Sequence, residues 1–172
     1  IRTPEFFSEI RPQWVPYLVR DIVRLAQYLE LPFGPLNPDP VVMNMVTREI
    51  SPEQPYIGRL TRLGILACEA GDDAGWAFMD EVSTLIWSGG AWTEGTALAD
   101  AAARAGFDLA DLDVRQEAEA DRLEAVIAEN QAAQDPHHWG VPLMVFEGEA
   151  FFGQDRLDVL EWRLGESGIA RR

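Results

Sequence analysis

The sequence predicts an α/β protein in which a long run of helices is followed by a short pair of strands and a final helix. Between residues 139 and 164, the signals of strand, turn, strand and helix follow one another without a gap. Upstream, apolar residues recur at the helical spacing of three and four positions, with Pro, Gly and Asp between the runs. We therefore expect a helical insertion over residues 41–135 and a C-terminal hairpin and helix over residues 136–172.

Residues 1–40 are predicted to hold a lead-in, a first helix and a proline-rich loop. Pro16 lies at the start of the helix, and apolar residues then follow with spacings of four, three and four, namely Leu18, Ile22, Leu25 and Leu29. The stretch LPFGPLNPDP holds four prolines and one glycine in ten residues. Such a stretch predicts an extended loop, because proline breaks both helices and central strands.

The insertion is predicted to consist of consecutive helices. Residues 41–50 fit a helix or a strand, and we favour a helix. The next helix is predicted to turn Ile57, Leu60, Leu63 and Ala67 inward, and a helix from Asp72 or Asp73 to Ser88 is predicted to turn Trp76, Met79, Val82 and Ile86 inward. A further helix is predicted from Thr93 to Ala105. The last runs from Val114 to Gln134, with Ala120, Leu123 and Ile127 inward.

The C-terminal stretch predicts a β-hairpin covered by a helix. Residues 141–146 and 150–152 are short apolar strands joined by the turn Glu147-Gly148-Glu149, where glycine supplies the positive φ that a tight hairpin needs. Asp155 then begins a helix that Gly165 is predicted to close.

Two features of this stretch point to ligand binding. Pro142 has no N–H for a strand ladder, so it belongs at the strand entrance, with a cis peptide bond as one of its two options. The N–H and C=O of Val141 are then left for a peptide-like ligand to pair with. The start of the helix at Asp155 offers N–H groups and a positive dipole end to a carboxylate. A plain hairpin with a covering helix is the alternative interpretation.

The order of these residues resembles one protein family. G-V-P, an apolar strand, G-E, an aromatic pair and then G-Q-D-R-L are similar to the C-terminal half of the 2-hydroxychromene-2-carboxylate isomerases, relatives of kappa-class glutathione transferases and of Dsb-type thiol oxidoreductases. The resemblance implies a thioredoxin-like sheet with a large all-helical insertion. It also implies glutathione as cofactor, with Val141 and Pro142 at its cysteinyl part and Asp155 and Arg156 at its γ-glutamyl end.

The resemblance further implies an enzyme, a glutathione-dependent isomerase that acts on an aromatic-derived substrate such as 2-hydroxychromene-2-carboxylate by reversible thiol addition. A Dsb-type oxidoreductase and a kappa-like glutathione transferase are the enzymatic alternatives, and a non-enzymatic interaction protein that kept the fold and lost the site is a further hypothesis. A thioredoxin-like sheet has two parallel strands before its insertion, and residues 1–40 show no such pattern, so we expect a first βαβ unit upstream of Ile1. In the isomerases that unit carries the catalytic serine and in the Dsb relatives the C-x-x-C, so the catalytic residue is unknown here. The family's Lys three residues ahead of Tyr17 is Trp14 in this chain, which leaves the substrate's charge open.

Composition and charge argue against several function classes. The net charge of −15 disfavours nucleic acid and anionic membrane surfaces as partners. The sequence has no Lys, which excludes Schiff-base chemistry and a Walker lysine in these residues. No stretch is long and apolar enough to span a bilayer. A cytoplasmic location is expected, and the sequence is compatible with a homodimer.

Three side-chain features allow both a functional and a packing interpretation. Cys68 is the only cysteine, which leaves no intrachain disulfide, and it is predicted to be a buried, inert thiol. His137 and His138 lack a third ligand for a metal site, and a surface role or an acid–base role beside the Pro142 loop remains. Trp87 matches a Trp found in the family, but core packing explains it equally, since most of the six Trp are expected to be buried.

Overall fold

The computed structural model describes residues 11–44, 47 and 49–170. The chain divides into two compact units, a helical unit over residues 1–120 and a C-terminal unit over residues 121–172. The helices are α1 (Trp14–Tyr28), α2 (Ile57–Glu69), α3 (Asp72–Trp87), α4 (Ala97–Arg104), α5 (Leu109–Ala118), α6 (Ala120–Gln134) and α7 (Leu157–Glu166), the strands are β1 (Leu143–Phe146) and β2 (Glu149–Phe152), and a 3₁₀ turn (Gln154–Arg156) precedes α7. None of the helices in these described ranges has the length and apolar character that a bilayer crossing requires.

The core of the helical unit lies among four helices that pack in a closed ring. Helix α2 packs on α3, α3 on α4, α4 on α5, and α5 returns to α2. Each helix contributes buried apolar side chains, which are Leu63, Leu66, Ala67, Phe78, Val82, Ile86, Leu98, Ala101, Ala102 and Leu112. Because burial of one Leu or Phe side chain stabilises by about 1.5–3 kcal/mol, this cluster is the main source of stability in the unit.

Polar contacts fix how α5 lies along α2. The guanidinium of Arg59 donates two hydrogen bonds to the carboxylate of Asp113, at 2.7 and 2.6 Å. Arg62 Nε donates to the side-chain carbonyl of Gln116 at 2.6 Å, and Gln116 is buried. The bond from Asp113 raises the pKa of Arg59, against the opposing effect of burial, so the arginine stays charged. The two contacts lie about one helical turn apart on α2, so together they fix one alignment of α5 along α2.

The proline-rich loop is irregular, as predicted, and is tied to the helical ring. The N–H of Gly34 donates to the carbonyl of Trp87 at 2.7 Å, and the ring of Phe33 stacks on Trp87 with centroids 6.0 Å apart. Further along, the indole N–H of Trp92 donates to the carbonyl of Pro38 at 2.8 Å. The loop therefore has a defined path along the end of α3.

Helix α1 forms where the sequence predicts it, but its apolar stripe is exposed. None of its residues is buried, and the predicted inward residues Leu18, Ile22 and Leu25 are all exposed. The spacing of the apolar residues correctly predicted a helix, but it did not predict whether the apolar face of that helix is buried.

The favoured helix over residues 41–50 is wrong for the part of this segment that the structure describes. Met43 and Ile50 form an antiparallel bridge, and the N–H of Asn44 donates to the carbonyl of Glu49 at 2.8 Å. The Asn44 side chain also accepts the N–H of Thr47 at 3.0 Å. An Asn that bonds the backbone ahead of it favours a turn over a helix.

Several predicted helix boundaries also differ. The predicted helix over residues 114–134 is two helices, which Glu119 separates. The first of them, α5, begins earlier than predicted, where Asp108 caps it by accepting the N–H of Ala110 at 2.8 Å. Helix α4 begins at Ala97, not Thr93. The cap of α3 is Gly71, and the two predicted capping aspartates lie in its first turn.

Two expectations about burial are wrong. Cys68 is exposed, because it follows the buried Ala67 on α2 and successive helical residues are rotated by about 100°. Trp92 is 2% exposed, whereas the other tryptophans are exposed by at least 41%, namely Trp14, Trp76, Trp87, Trp139 and Trp162.

The predicted hairpin is present with a shorter turn. Strands β1 and β2 pair antiparallel, from Leu143 opposite Phe152 to Phe146 opposite Glu149. The turn is therefore two residues, Glu147 and Gly148, with φ of 50° and 83°. Positive φ at both positions is the type I′ geometry that matches the twist of paired strands.

Helix α7 ends later than predicted. Gly165 lies inside the helix, which runs to Glu166, and the left-handed residue is Gly168 at φ 78°. The N–H groups of Gly168 and Ile169 donate to the carbonyls of Gly165 and Leu164, both at 2.9 Å. This is a Schellman motif with Gly168 in the glycine position.

An ion pair and one buried ring hold α7 on the hairpin. Arg163 donates two hydrogen bonds to the carboxylate of Glu149, at 2.7 and 3.1 Å, and this contact raises the pKa of Arg163. Phe151, two positions after Glu149 on β2, is buried. The hairpin thereby gains the covering helix that an isolated strand pair needs for stability.

Replacing Glu147 by Asn is expected to raise the free energy of unfolding by about 0.5–1 kcal/mol, since a non-glycine residue in the left-handed region costs about 1–2 kcal/mol and Asn tolerates it best. Urea unfolding followed by circular dichroism measures the gain. Glu147→Gln removes the same charge without the left-handed preference and should leave stability unchanged. Equal gains in both variants would show that charge, not turn geometry, is responsible.

Candidate functional site

The entrance of β1 presents an unpaired piece of backbone. The Val141–Pro142 peptide bond is cis, and the ladder begins at Leu143. Within the part of the chain that the structure describes, the N–H and C=O of Val141 have no hydrogen-bond partner. Val141 is 76% exposed. These two groups are therefore open to a ligand that carries its own amide donor and acceptor.

Neighbouring residues hold this piece of backbone from both sides. On the C-terminal side, the N–H of Gly153 donates to the carbonyl of Pro142 at 3.0 Å. On the N-terminal side, the N–H of Gly140 donates to Nδ1 of His138 at 2.9 Å, and the carbonyl of Gly140 accepts from Nε2 of Gln134 at 3.2 Å. Val141 is thus the unpaired residue of an otherwise anchored segment.

Asp155 and Arg156 lie in the 3₁₀ turn ahead of α7, and the α-helix proper begins at Leu157. This corrects the prediction that Asp155 begins the α-helix. The two side chains form an ion pair at 3.3 Å and are 70% and 53% exposed. An exposed pair of this kind contributes little to stability, so both charges remain available to a ligand. Among the described residues, the N–H groups of Gln154 and Asp155 have no partner.

Gly153 connects the two halves of the predicted site. Its N–H binds Pro142, one position after Val141, and its φ is 100°. A Cβ at this position would lie 2.6 Å from Oδ1 of Asp155, so the Asp155 side chain folds back over the glycine. The structure therefore brings the four predicted residues, Val141, Pro142, Asp155 and Arg156, to the same end of the hairpin.

An aromatic cluster borders this site, and only part of it was predicted. The imidazole of His138 stacks on Phe152 with ring centroids 3.7 Å apart and contacts Trp139 at 5.2 Å. His137 is exposed. The pair of histidines and the aromatic pair that includes Phe152 were usable signals, since His138 and Phe152 reach the site, but Gln134 carries no motif that would have singled it out.

The helical unit contains a cavity that the sequence did not predict. Its volume is about 310 Å³, and its walls include Tyr56, Arg59, Leu60, Trp92, Leu98 and Leu109. The charge of Arg59 is balanced by Asp113, which it binds through two hydrogen bonds. The cavity is thus lined by aromatic and aliphatic groups and by an already neutralised arginine.

Comparison with known proteins identifies the family. The family model of the DSBA-like thioredoxin domain matches residues 7–165, which is most of the chain. No curated protein and no solved structure matches. The match confirms the predicted fold class, a thioredoxin-like α/β fold with a helical insertion.

The match also supports a general class of function, and it does not extend to the specific isomerase activity that the sequence predicted. Members of this family are usually oxidoreductases or isomerases, which agrees with the predicted relationship to Dsb-type proteins. From its fold, its cis-proline segment and this match, the chain belongs to the DSBA-like thioredoxin domain family.

Proposed function

We propose that the protein is a glutathione-dependent isomerase that acts on an aromatic-derived small molecule such as 2-hydroxychromene-2-carboxylate. The observation that carries the proposal is the unpaired, exposed backbone of Val141 next to cis-Pro142. Glutathione is a tripeptide, so its cysteinyl residue has the N–H and C=O that complement such a backbone edge.

The charges at the 3₁₀ turn suit the other end of the same ligand. The γ-glutamyl group of glutathione carries an ammonium and a carboxylate on one carbon. Asp155 offers an acceptor for the ammonium and Arg156 a donor for the carboxylate, and both are more than half exposed. The unpaired N–H groups of Gln154 and Asp155 add donors for the carboxylate at a helix start.

These residues would bind and orient the cofactor. When bound, glutathione would supply a thiol for reversible addition to an electrophilic carbon–carbon double bond, a chemistry that isomerises the double bond without net oxidation. The Val141 backbone holds the cysteinyl residue and so fixes the direction of its side chain. The exposed Trp139 and Val141 give an apolar border on which a planar substrate can pack.

A thiol–disulfide oxidoreductase is the second candidate, and the family match favours it as much as an isomerase. Within these 172 residues Cys68 is the only cysteine, and it lies in the helical unit, so no dithiol pair belongs to the candidate site described here. The two functions are separated by assays on the full-length protein, one for isomerisation without change in glutathione redox state and one for reduction of a disulfide substrate.

Arg156→Gln is expected to weaken glutathione binding about tenfold, because a hydrogen bond to a charged group contributes about 1.5–3 kcal/mol and this site is partly solvated. Isothermal calorimetry on the full-length protein with millimolar glutathione measures the affinity. Arg115→Gln, which removes the same charge from an exposed site in the helical unit, should leave the affinity unchanged. No heat of binding to the wild-type protein would contradict the proposal.

A further inference from the structure

The imidazole of His138 is held in a fixed position beside the cis-proline segment. Its ring centroid lies 3.7 Å from that of Phe152, with the ring planes 18° apart, and Phe152 is itself paired with Leu143 in the hairpin. The ring of Trp139 contacts the imidazole at 5.2 Å. The histidine is therefore attached to the end of the sheet and not to a mobile surface position.

The nitrogen that faces the chain is a hydrogen-bond acceptor. Nδ1 of His138 accepts the N–H of Gly140 at 2.9 Å, so this nitrogen carries no proton and the neutral ring keeps its proton on Nε2. Gly140 is buried, and a buried N–H that lost its acceptor would be left with the full cost of desolvation. The imidazole thus satisfies a backbone donor that lies outside the strand ladder.

The carbonyl of Gly140 also has a hydrogen-bond partner, and this bond fixes the direction of the Val141 N–H. Nε2 of Gln134 donates to the carbonyl of Gly140 at 3.2 Å. In a trans peptide unit the C=O and the following N–H point in opposite directions, so this bond directs the N–H of Val141 away from Gln134. Together, His138 and Gln134 set the orientation of the peptide that precedes the exposed backbone.

We infer that His138 is a positioning residue for the glutathione-binding backbone, an inference that rests on the proposed function. Its Nδ1 holds Gly140, with Gln134 as second anchor, so that Val141 presents its N–H and C=O to the cysteinyl residue of the ligand. The imidazole acts through hydrogen-bond acceptance, and it does not touch the reacting atoms.

Three variants separate the acceptor from the ring. His138→Phe keeps an aromatic ring against Phe152 but removes the acceptor, and His138→Asn keeps an acceptor oxygen near the position of Nδ1. His137→Phe changes the exposed neighbour and serves as the matched control. Calorimetry with glutathione on the full-length protein is combined with amide hydrogen exchange of Gly140, and circular dichroism establishes that each variant is folded.

We expect His138→Phe to lose protection of the Gly140 amide and to bind glutathione about fivefold to tenfold more weakly, the effect of one hydrogen bond. His138→Asn should restore both to within about twofold of wild type, and His137→Phe should match wild type. Equal binding by wild type and His138→Phe, or no recovery in His138→Asn, would overturn this inference and leave the proposed function standing. Absence of binding by wild type would overturn the proposed function and this inference with it.

Discussion

Trp92→Ala is expected to lower the free energy of unfolding by about 3–5 kcal/mol, the range for truncation of a buried aromatic side chain. The Trp92 side chain is 2% exposed, and its ring meets that of Tyr56 edge-on with centroids 5.4 Å apart. Its indole N–H also donates to the carbonyl of Pro38 at 2.8 Å, so truncation removes the donor of that carbonyl as well. Urea unfolding followed by circular dichroism measures the loss.

Two further substitutions test the cause of that loss. Trp92→Phe keeps a buried aromatic ring but removes the N–H and some buried volume, so its cost should be intermediate, about 1–3 kcal/mol. Trp76→Ala truncates a tryptophan that is 76% exposed on α3 and should change stability by less than about 0.5 kcal/mol. If Trp92→Ala costs no more than Trp76→Ala, the assignment of Trp92 to the core is wrong.

Features set by local backbone chemistry were predictable from the sequence. The end of α3 at Gly89 and the end of α4 at Gly106 follow from glycines that adopt positive φ. The hairpin turn at Gly148 follows from the same property. The chain at each of these three positions needs a conformation that few other residues adopt, so a glycine there was a correct signal, although the same rule misplaced the end of α7 at Gly165.

Features set by partners distant in sequence were not predictable. The periodicity of α3 placed Trp76 and Met79 inward, but both are exposed and Phe78 is buried. Phe78 packs edge-on against Phe107 with centroids 5.7 Å apart, and the position of Phe107 depends on how α4 ends and folds back. A helix that is apolar on more than one side gives no single inner face, so tertiary contacts decide which side is buried.

The candidate site shows the same division. The absence of an N–H on Pro142 predicted that the backbone of Val141 lies outside the strand ladder, and the structure has this arrangement. Of the two side chains that fix this backbone, Gln134 and His138, the histidine was a candidate from the sequence, whereas Gln134 belongs to no motif. Asp155 and Arg156 were placed at a helix start, and the structure has them in a 3₁₀ turn that precedes the α-helix.

The segment that holds Val141 is packed closely enough to make Gly140 a sensitive position. A Cβ at Gly140 would lie 2.5 and 2.8 Å from two carbons of the Phe152 ring and 3.3 Å from Nδ1 of His138. The Phe152 ring stacks on the imidazole of His138 with centroids 3.7 Å apart, so any shift of the ring disturbs that stacking. The added methyl group must therefore displace the ring or the backbone.

Gly140→Ala is expected to lower the free energy of unfolding by about 1–3 kcal/mol, the usual cost of overpacking, and to weaken glutathione binding because the adjacent backbone moves. Gly165→Ala, at a helical glycine with open space around its Cα, should instead raise stability by up to about 1 kcal/mol. Adding Phe152→Leu to Gly140→Ala should recover part of the loss, since the smaller side chain leaves room for the methyl group. A Gly140→Ala protein as stable as the wild type would mean that the Phe152 ring does not lie against this glycine, and His138 would then lack the support that fixes its Nδ1.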